Sequence, residues 1–246
     1  MGTKQDRVWQ NAELAKIYLE GVRGAIPLAA EQLKVMLQVI RTARPKVDSF
    51  LDLGCGDGIL GRSILSQHPE AGGILLDFSE SMLSAARAKA ETPADRLEYL
   101  LQDYGQPQWV ESVRHRAPFD VIVSGFSIHH QPDLRKQELY REIFELLKPG
   151  AVFLNLDHVS SPSPWIEGMF EELFIDALCQ YQQANGSRKS RQEIAREFYD
   201  RPDKVANILA PVEAQCDWLS ALGFVQVDCY LKIFELALFG GLRPDL

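Results

Sequence analysis

The stretch LDLGCGDGILG, from Leu51 to Gly61, admits two interpretations that lead to different fold assignments. In the first, GDGILG satisfies G-x-G-x-x-G, the turn that seats a dinucleotide pyrophosphate at a helix N-terminus. In the second, a strand ends at Leu53 and a Gly-Cys-Gly turn follows directly. A dinucleotide fold places its first fingerprint glycine straight after the strand, whereas GDGILG would leave Gly54 and Cys55 between strand and motif. The second interpretation therefore fits better.

The length and composition indicate one globular domain. The chain has 246 residues, of which 46% are hydrophobic, which is enough to bury a full core. A net charge of -8 disfavours a nucleic-acid partner, because such affinity rests largely on Lys and Arg side chains that displace counterions. No stretch is apolar over the roughly 18 residues that span a membrane, and the start lacks the apolar segment of a signal peptide. We expect a single domain over residues 1–246, with no membrane contact and a cytoplasmic location.

Short apolar runs alternate with helical patterns along most of the chain. Five runs have the length of buried strands: VDSFLDL (47–53), GILLD (73–77), RLEYLLQD (96–103), FDVIVSGF (119–126) and AVFLNLDHV (151–159). A helical pattern precedes Pro45, and Lys148-Pro149-Gly150 is expected to end the helix before the fifth strand. This alternation predicts parallel strands in a doubly wound α/β sheet.

The end of the chain departs from this alternation. FVQVDCYLK (224–232) and IFELALFGG (233–241) are strand-like with no room for a helix between them, so they predict an antiparallel hairpin. Between Ser163 and Ala210, apolar residues recur at helical spacing, which predicts a helical insertion between the fifth and sixth strands. Its apolar stripe leaves three roles open: a lid over an acceptor, a dimer surface or ordinary core packing.

Together these motifs resemble the class I S-adenosylmethionine-dependent methyltransferases over nearly the whole chain. The matching stretches, from the first strand to the fifth, are LDLGCGDG, LLDFS, LQDY, FDVIVSGFSIHH and LLKPGAVFLNLDHV. The resemblance implies a Rossmann-like sheet of order 3-2-1-4-5-7-6 with strand 7 antiparallel. It also implies N-terminal helices over residues 1–45 and a helical insertion or lid over residues 163–210. The branch that it resembles acts on small molecules or is uncharacterised, so no acceptor is specified.

The resemblance implies S-adenosylmethionine as the cofactor and a set of residues around it. Gly54 and Gly56 lack Cβ atoms, so the backbone can take positive φ and approach the cofactor closely. Asp77 would accept hydrogen bonds from the ribose diol, and Asp103 would accept one from the adenine amino group. The other expected cofactor contacts are Cys55, Phe78, Met82, Tyr104 and Ser124. Structural roles stay open for these residues, such as a helix cap for Asp77 or core packing for Phe78 and Met82.

Three histidines are the candidates for catalysis. His129 and His130 follow the fourth strand and His158 lies in the fifth, so all three are expected at the carboxyl edge of the sheet, where such folds bind ligands. An imidazole can act as the base if the nucleophile must lose a proton, and a polar cap on the following helix is the alternative role. The four cysteines form no C-x-x-C and the histidines have no ligand spacing, so no metal is expected.

Aromatic residues are the candidates for the acceptor wall. Trp165 and Tyr181 lie in the predicted insertion, and Tyr18, on the first predicted helix, is placed over the cofactor by analogy with the family. The expected function is methyl transfer to O, N or C of a small molecule by in-line displacement. Two alternatives stay open: an NAD(P)-dependent oxidoreductase and a non-catalytic S-adenosylmethionine-binding module. A homodimer is compatible with the apolar stripe of the insertion.

Overall fold

The structure is a computed structural model that describes residues 23–90, 96–200, 204 and 206–245. Its strands are β1 (Ser49–Leu53), β2 (Gly72–Asp77), β3 (Leu97–Leu101), β4 (Phe119–Gly125), β5 (Leu147–His158), β6 (Val225–Ile233) and β7 (Leu236–Leu242). Its α-helices, numbered within the described residues, are α1 (Ala29–Ala43), α2 (Ile59–Gln67), α3 (Glu80–Ala88), α4 (Trp109–Val113), α5 (Asp133–Leu146), α6 (Pro164–Ala184), α7 (Arg191–Tyr199) and α8 (Val212–Ala221). Short 3-10 turns cover Arg23–Ala25 and Ile128–His130.

The seven strands form one sheet in the order β3-β2-β1-β4-β5-β7-β6. The central strand β1 pairs in parallel with β2 and β4, and β4 pairs in parallel with β5. Strand β7 runs antiparallel to both β5 and β6. The predicted strand order and the reversed β7 are therefore confirmed. Because the parallel strands share one direction, their carboxyl ends meet at a single edge of the sheet.

Both faces of the sheet are buried, as expected for parallel strands flanked by helices. In β1, Phe50 belongs to the apolar cluster on one face, while Leu51 and Leu53 belong to the cluster on the other. All three side chains are fully buried, and each such burial is worth about 1.5–3 kcal/mol. Asp52, also fully buried, accepts a hydrogen bond from the Gly61 amide at 2.9 Å, which fixes the start of α2 against β1.

The junction between α5 and β5 differs from the prediction. Helix α5 ends at Leu146, one residue before the predicted end at Leu147, and Lys148-Pro149-Gly150 belongs to β5, which begins at Leu147 and not at Ala151. Gly150 has a φ of 70°, a left-handed conformation that favours glycine. Its amide donates to the Arg243 carbonyl at 2.9 Å, and the Arg243 amide donates to the Ala151 carbonyl. The chain beyond β7 thus continues the pairing with the first part of β5.

The predicted helical insertion is present as α6 and α7 between β5 and β6. Its apolar stripe packs into a third cluster over the carboxyl edge of the sheet, formed by Ala25, Phe170, Phe174, Ile175, Leu178, Cys179, Ile194, Phe198 and Leu236. Ser163 and Ser190 cap the two helices by accepting hydrogen bonds from the Ile166 and Glu193 amides. Of the N-terminal helices predicted over residues 1–45, α1 is described, and Tyr18 lies outside the described residues.

Candidate active site at the carboxyl edge of the sheet

A cavity of about 480 Å³ opens at the carboxyl edge of the sheet. Its lining comes from the turn after β1, from the ends of β2, β4 and β5, and from the helical insertion. Polar groups on the strand ends face an apolar wall on the insertion, an arrangement typical of small-molecule sites.

The turn after β1 has the backbone conformation that glycine permits. Gly54 has a φ of 68° and Gly56 a φ of 54°. The Gly54 and Cys55 amides both donate to the Leu76 carbonyl, at 2.8 and 2.9 Å, so the turn is fixed to β2. A Cβ atom at Gly54 would lie 1.9 Å from Ser127 Oγ. Any other residue at position 54 would therefore be strained and would displace Ser127.

Asp77 ends β2 and lines the cavity. Its Oδ2 accepts from the Gly56 amide at 2.8 Å, and its Oδ1 accepts from the Ser79 amide at 2.9 Å. Burial raises the pKa of this carboxyl to about 6, against the opposing effect of these backbone hydrogen bonds. A carboxylate has about four acceptor positions, so capacity remains for a diol. The residues around the turn therefore fit the ribose end of S-adenosylmethionine.

Among the other expected cofactor contacts, Cys55 and Met82 line the cavity. The remaining four, which lie outside its lining, are Phe78, Asp103, Tyr104 and Ser124. Tyr104 is buried, and its hydroxyl hydrogen bonds to Ser127 Oγ at 2.6 Å. Ser124 Oγ donates to the Leu53 carbonyl at 2.7 Å, and Asp103 Oδ1 accepts from the Gly105 amide at the same distance.

The His129 side chain forms a buried pair with Asp157 of β5. His129 Nδ1 lies 2.5 Å from Asp157 Oδ1, and the His129 amide donates to Asp157 Oδ2 at 3.0 Å. Asp157 also accepts from the His158 amide and from Asn155 Nδ2. Burial opposes ionisation of Asp157, but His129 and these hydrogen bonds outweigh it and lower the pKa of the carboxyl. The carboxylate can only accept, so Nδ1 carries the proton and Nε2 of a neutral His129 carries a lone pair.

His158 forms a second imidazole–carboxylate pair, with Glu235 in the turn between β6 and β7. The His158 Nε2 to Glu235 Oε2 distance is 2.6 Å, and Glu235 is 5% exposed. Burial lowers the pKa of His158, although Glu235 acts in the opposite direction. The ring centroids of His129 and His158 are 5.7 Å apart, so the two pairs are neighbours on one wall of the cavity.

His130 lies against His129, with ring centroids 3.9 Å apart. Burial and, secondarily, the charge of His129 lower the pKa of His130 to about 3, so this imidazole is neutral under ordinary conditions. Its Nδ1 lies 3.2 Å from the Ala206 carbonyl, and the His129 carbonyl accepts from the Ile208 amide at 2.9 Å. The histidine turn is thereby connected to the segment that follows the insertion.

The apolar wall consists mainly of phenylalanines from the insertion. Phe170, Phe174 and Phe198 line the cavity and contact one another in series, with centroid distances of 5.7 and 5.4 Å. Tyr181, a candidate for the acceptor wall, also lines the cavity. Trp165 lies outside the lining, at the start of α6, and is 72% exposed.

Sequence reasoning missed Asp157 and Glu235, the carboxylates that hold His129 and His158. Asp157 had a usable signal, because it immediately precedes His158 at the end of an otherwise apolar strand. Glu235 had none, since it is 77 positions from its partner and reaches it only because β7 pairs with β5.

Within the described ranges, no three His, Cys, Asp or Glu side chains are grouped so as to hold a metal ion. Among the helices of the described chain, none is long and apolar enough to cross a membrane.

A sheet of this order with a reversed last strand, and a glycine turn and acid facing a cavity at its carboxyl edge, define the Rossmann-like methyltransferase class. Residues 50–150 match the family model described as a methyltransferase domain. The chain is 22% identical over 261 residues to carboxy-S-adenosyl-L-methionine synthase of Desulfotalea psychrophila, covering 100% of both chains. It is 32% identical over 127 residues to demethylmenaquinone methyltransferase of Leptospira interrogans, covering 51% of this chain and 49% of that enzyme.

Among solved structures, an O-methyltransferase family protein from Burkholderia thailandensis has the same fold, with a TM-score of 0.61 at 17% identity. The match covers 86% of this chain and 56% of that one, so this chain spans little more than half of that protein. Over residues 50–150 the chain is similar to methyltransferase domains, and the relatives and solved structure named here are S-adenosylmethionine-linked enzymes or methyltransferases. The predicted resemblance and the cofactor that it implies are confirmed, and the nicotinamide-dependent oxidoreductase is set aside.

Proposed function

We propose that this protein transfers the methyl group of S-adenosylmethionine to a hydroxyl oxygen of an apolar, ring-containing small molecule, with His129 as the general base. The observation that carries the proposal is the buried His129–Asp157 pair on the cavity wall, between the glycine turn and the phenylalanines. A base is useful only when the nucleophile must lose a proton, as a hydroxyl must during methylation.

The charges around the cavity support an uncharged acceptor. Three cationic side chains line it, and each is already ion-paired: Arg62 and Lys89 with Asp57, and Lys204 with Glu171. An anionic acceptor would have to compete with these carboxylates. The opposite wall is formed by phenylalanine rings, which offer apolar surface to a ring of similar size.

When bound, S-adenosylmethionine supplies a methyl group already activated on a sulfonium. The protein then has two tasks, which are to align the acceptor oxygen and to remove its proton. Asp157 holds His129 in the tautomer whose Nε2 can accept that proton, and it stabilises the imidazolium that results. The phenylalanine wall offers no hydrogen-bond partner to water on its side of the cavity.

The test is a comparison of variants with deuterated methyl donor and a panel of hydroxylated aromatic compounds, with product detected by mass. His129→Ala and Asp157→Asn are expected to lower the turnover rate by about 100-fold or more while leaving S-adenosylhomocysteine affinity unchanged. The matched control is His115→Ala, because His115 pairs with Glu98 on the surface away from the cavity. Full activity of His129→Ala would refute the proposal. Cofactor binding without methylation of any acceptor would favour a binding module.

A second candidate is synthesis of carboxy-S-adenosyl-L-methionine, because the similarity to the Desulfotalea psychrophila enzyme extends over the full length of both chains. The two candidates differ in their products. Methyl transfer gives a methylated acceptor and S-adenosylhomocysteine, whereas the synthase activity gives a carboxylated cofactor. The same mass measurement distinguishes them once a carboxyl-group donor is added to the assay, because carboxylation of the cofactor needs a co-reactant that supplies the carboxyl group.

A further inference from the structure

The proposed methyl transfer uses only His129 and Asp157 to remove the acceptor proton, and it assigns no role to the His158–Glu235 pair. Glu235 is brought to the site by the hairpin turn between β6 and β7, whose position is fixed by a hydrogen bond from the Val159 amide to the Glu235 carbonyl at 2.8 Å. The preceding residue, Phe234, has a φ of 51°, so the turn adopts a left-handed conformation that a phenylalanine rarely takes. A carboxylate held this firmly against a cavity-lining imidazole suggests a binding role.

The two histidines form one unit through Asp157. Its Oδ1 accepts from both His129 Nδ1, at 2.5 Å, and the His158 amide, at 3.0 Å. The rings meet edge to face at 71° with centroids 5.7 Å apart. The His158 ring also lies 5.4 Å from the Phe170 ring of the apolar wall. An acceptor ring on that wall would therefore lie beside His158, with His129 as the next imidazole.

The spacing and the tautomers define what the second imidazole can recognise. The two rings, with centroids 5.7 Å apart, are close enough for two oxygens of one small molecule to reach one imidazole each. Glu235 keeps the proton of His158 on Nε2, so the other ring nitrogen of a neutral His158 can only accept. Its partner on the acceptor must then be a donor, which a hydroxyl is and a carbonyl or ether oxygen is not.

We propose that the His158–Glu235 pair binds a second hydroxyl of the acceptor, next to the hydroxyl that is methylated, so that the substrates are aromatic molecules with two hydroxyls on neighbouring carbons. This inference rests on the proposed function. One hydroxyl loses its proton to His129 and forms the new O–C bond, while the C–S bond breaks and its electron pair stays on sulfur. The second hydroxyl keeps its proton and donates a hydrogen bond to His158. His158 is thus a positioning residue that selects the acceptor and its orientation.

The experiment compares catechol with phenol, resorcinol and guaiacol, using the protein loaded with S-adenosylhomocysteine for calorimetry and with S-adenosylmethionine for turnover. The expected result is about tenfold tighter binding of catechol than of the other three, from one added hydrogen bond to a carboxylate-paired imidazole. In turnover, we expect catechol to differ from the other three compounds mainly by a lower KM.

His158→Gln and Glu235→Gln are expected to remove the catechol preference while phenol methylation keeps its dependence on His129. Thermal melting and S-adenosylhomocysteine affinity verify that both variants fold. Equal affinity for catechol and phenol in the wild type, or an unchanged preference in both variants, would overturn the inference. If phenols are methylated without a catechol preference, only this inference fails. If no hydroxyl is methylated, or His129→Ala is fully active, the proposed function fails, and the calorimetric comparison still decides the role of His158.

Discussion

Asp77 provides a quantitative test of cofactor binding, because its burial gives it a pKa of about 6 in the free protein. Ribose hydroxyls donate to the ionised carboxylate, so a proton on Asp77 competes with the cofactor. S-adenosylhomocysteine affinity is therefore expected to be constant above about pH 7 and to fall through about pH 6. Below that point each pH unit should weaken the affinity up to about tenfold, which corresponds to about 1.4 kcal/mol.

The substitution Asp77→Asn tests whether Asp77 causes this pH dependence of the affinity. The asparagine does not titrate in this range, so its affinity should be independent of pH. It should also be weaker than the wild-type plateau by about 1–3 kcal/mol, because an NH₂ group replaces one acceptor oxygen. One of the amides of Gly56 and Ser79 then loses its acceptor, so folding must be checked by thermal melting at each pH.

The assay is isothermal titration calorimetry from about pH 5 to about pH 8, a range that brackets the expected change. The matched control is Asp48→Asn, because Asp48 is exposed just before the amino end of β1 and should leave the wild-type profile unchanged. A wild-type affinity that does not vary with pH would refute the reasoning, as would an Asp77→Asn variant with wild-type affinity.

Three further substitutions have distinct expected outcomes. Gly54→Ala should lower the melting temperature and weaken S-adenosylhomocysteine binding at least about tenfold, because the φ of 68° and the contact with Ser127 both oppose a Cβ atom; wild-type calorimetry would contradict this. Phe174→Ala should cost about 3 kcal/mol or more in urea unfolding and raise the acceptor KM with cofactor affinity preserved, and an unchanged KM would remove Phe174 from the acceptor wall. Tyr140→Phe should lower the free energy of unfolding by about 1–2 kcal/mol and leave turnover normal. The buried Tyr140 hydroxyl donates to Gln215 Oε1 at 2.6 Å, and the variant leaves that oxygen without its donor. A loss of turnover would contradict the purely structural role.

The strands could be predicted from the sequence because their information is local, whereas the order of the strands came from the resemblance to the methyltransferases. Each buried strand is a short apolar run followed by a turn. The last two strand-like runs, 224–232 and 233–241, adjoin each other without room for a helix, which forces the hairpin. The glycine turn was predictable for the same reason, since its conformation depends on the residues at positions 54 and 56. The extension of β5 back to Leu147 was not predictable, because it depends on the pairing of Leu147 with Phe119 of β4 and of Gly150 and Ala151 with Arg243.

The chemistry of the site was less accessible from sequence. The histidines could be placed at the carboxyl edge, but their carboxylate partners follow from tertiary pairing. His129 reaches Asp157 through the pairing of β4 with β5, and His158 reaches Glu235 through the pairing of β5 with β7. The stripe of the insertion was ambiguous among lid, dimer surface and core. In the structure it packs into a cluster with Leu236, and Phe170 and Phe174 face the cavity, so its residues serve as core and as cavity wall together.

The central claim is that His129 removes the proton of the acceptor. It is tested most directly by comparing single-turnover rates of the wild type and His129→Ala on catechol and on nitrocatechol, whose hydroxyl is already ionised near neutral pH. The account predicts that the variant loses about 100-fold or more with catechol and little with nitrocatechol. An equal loss with both acceptors would contradict the account and assign His129 a structural role.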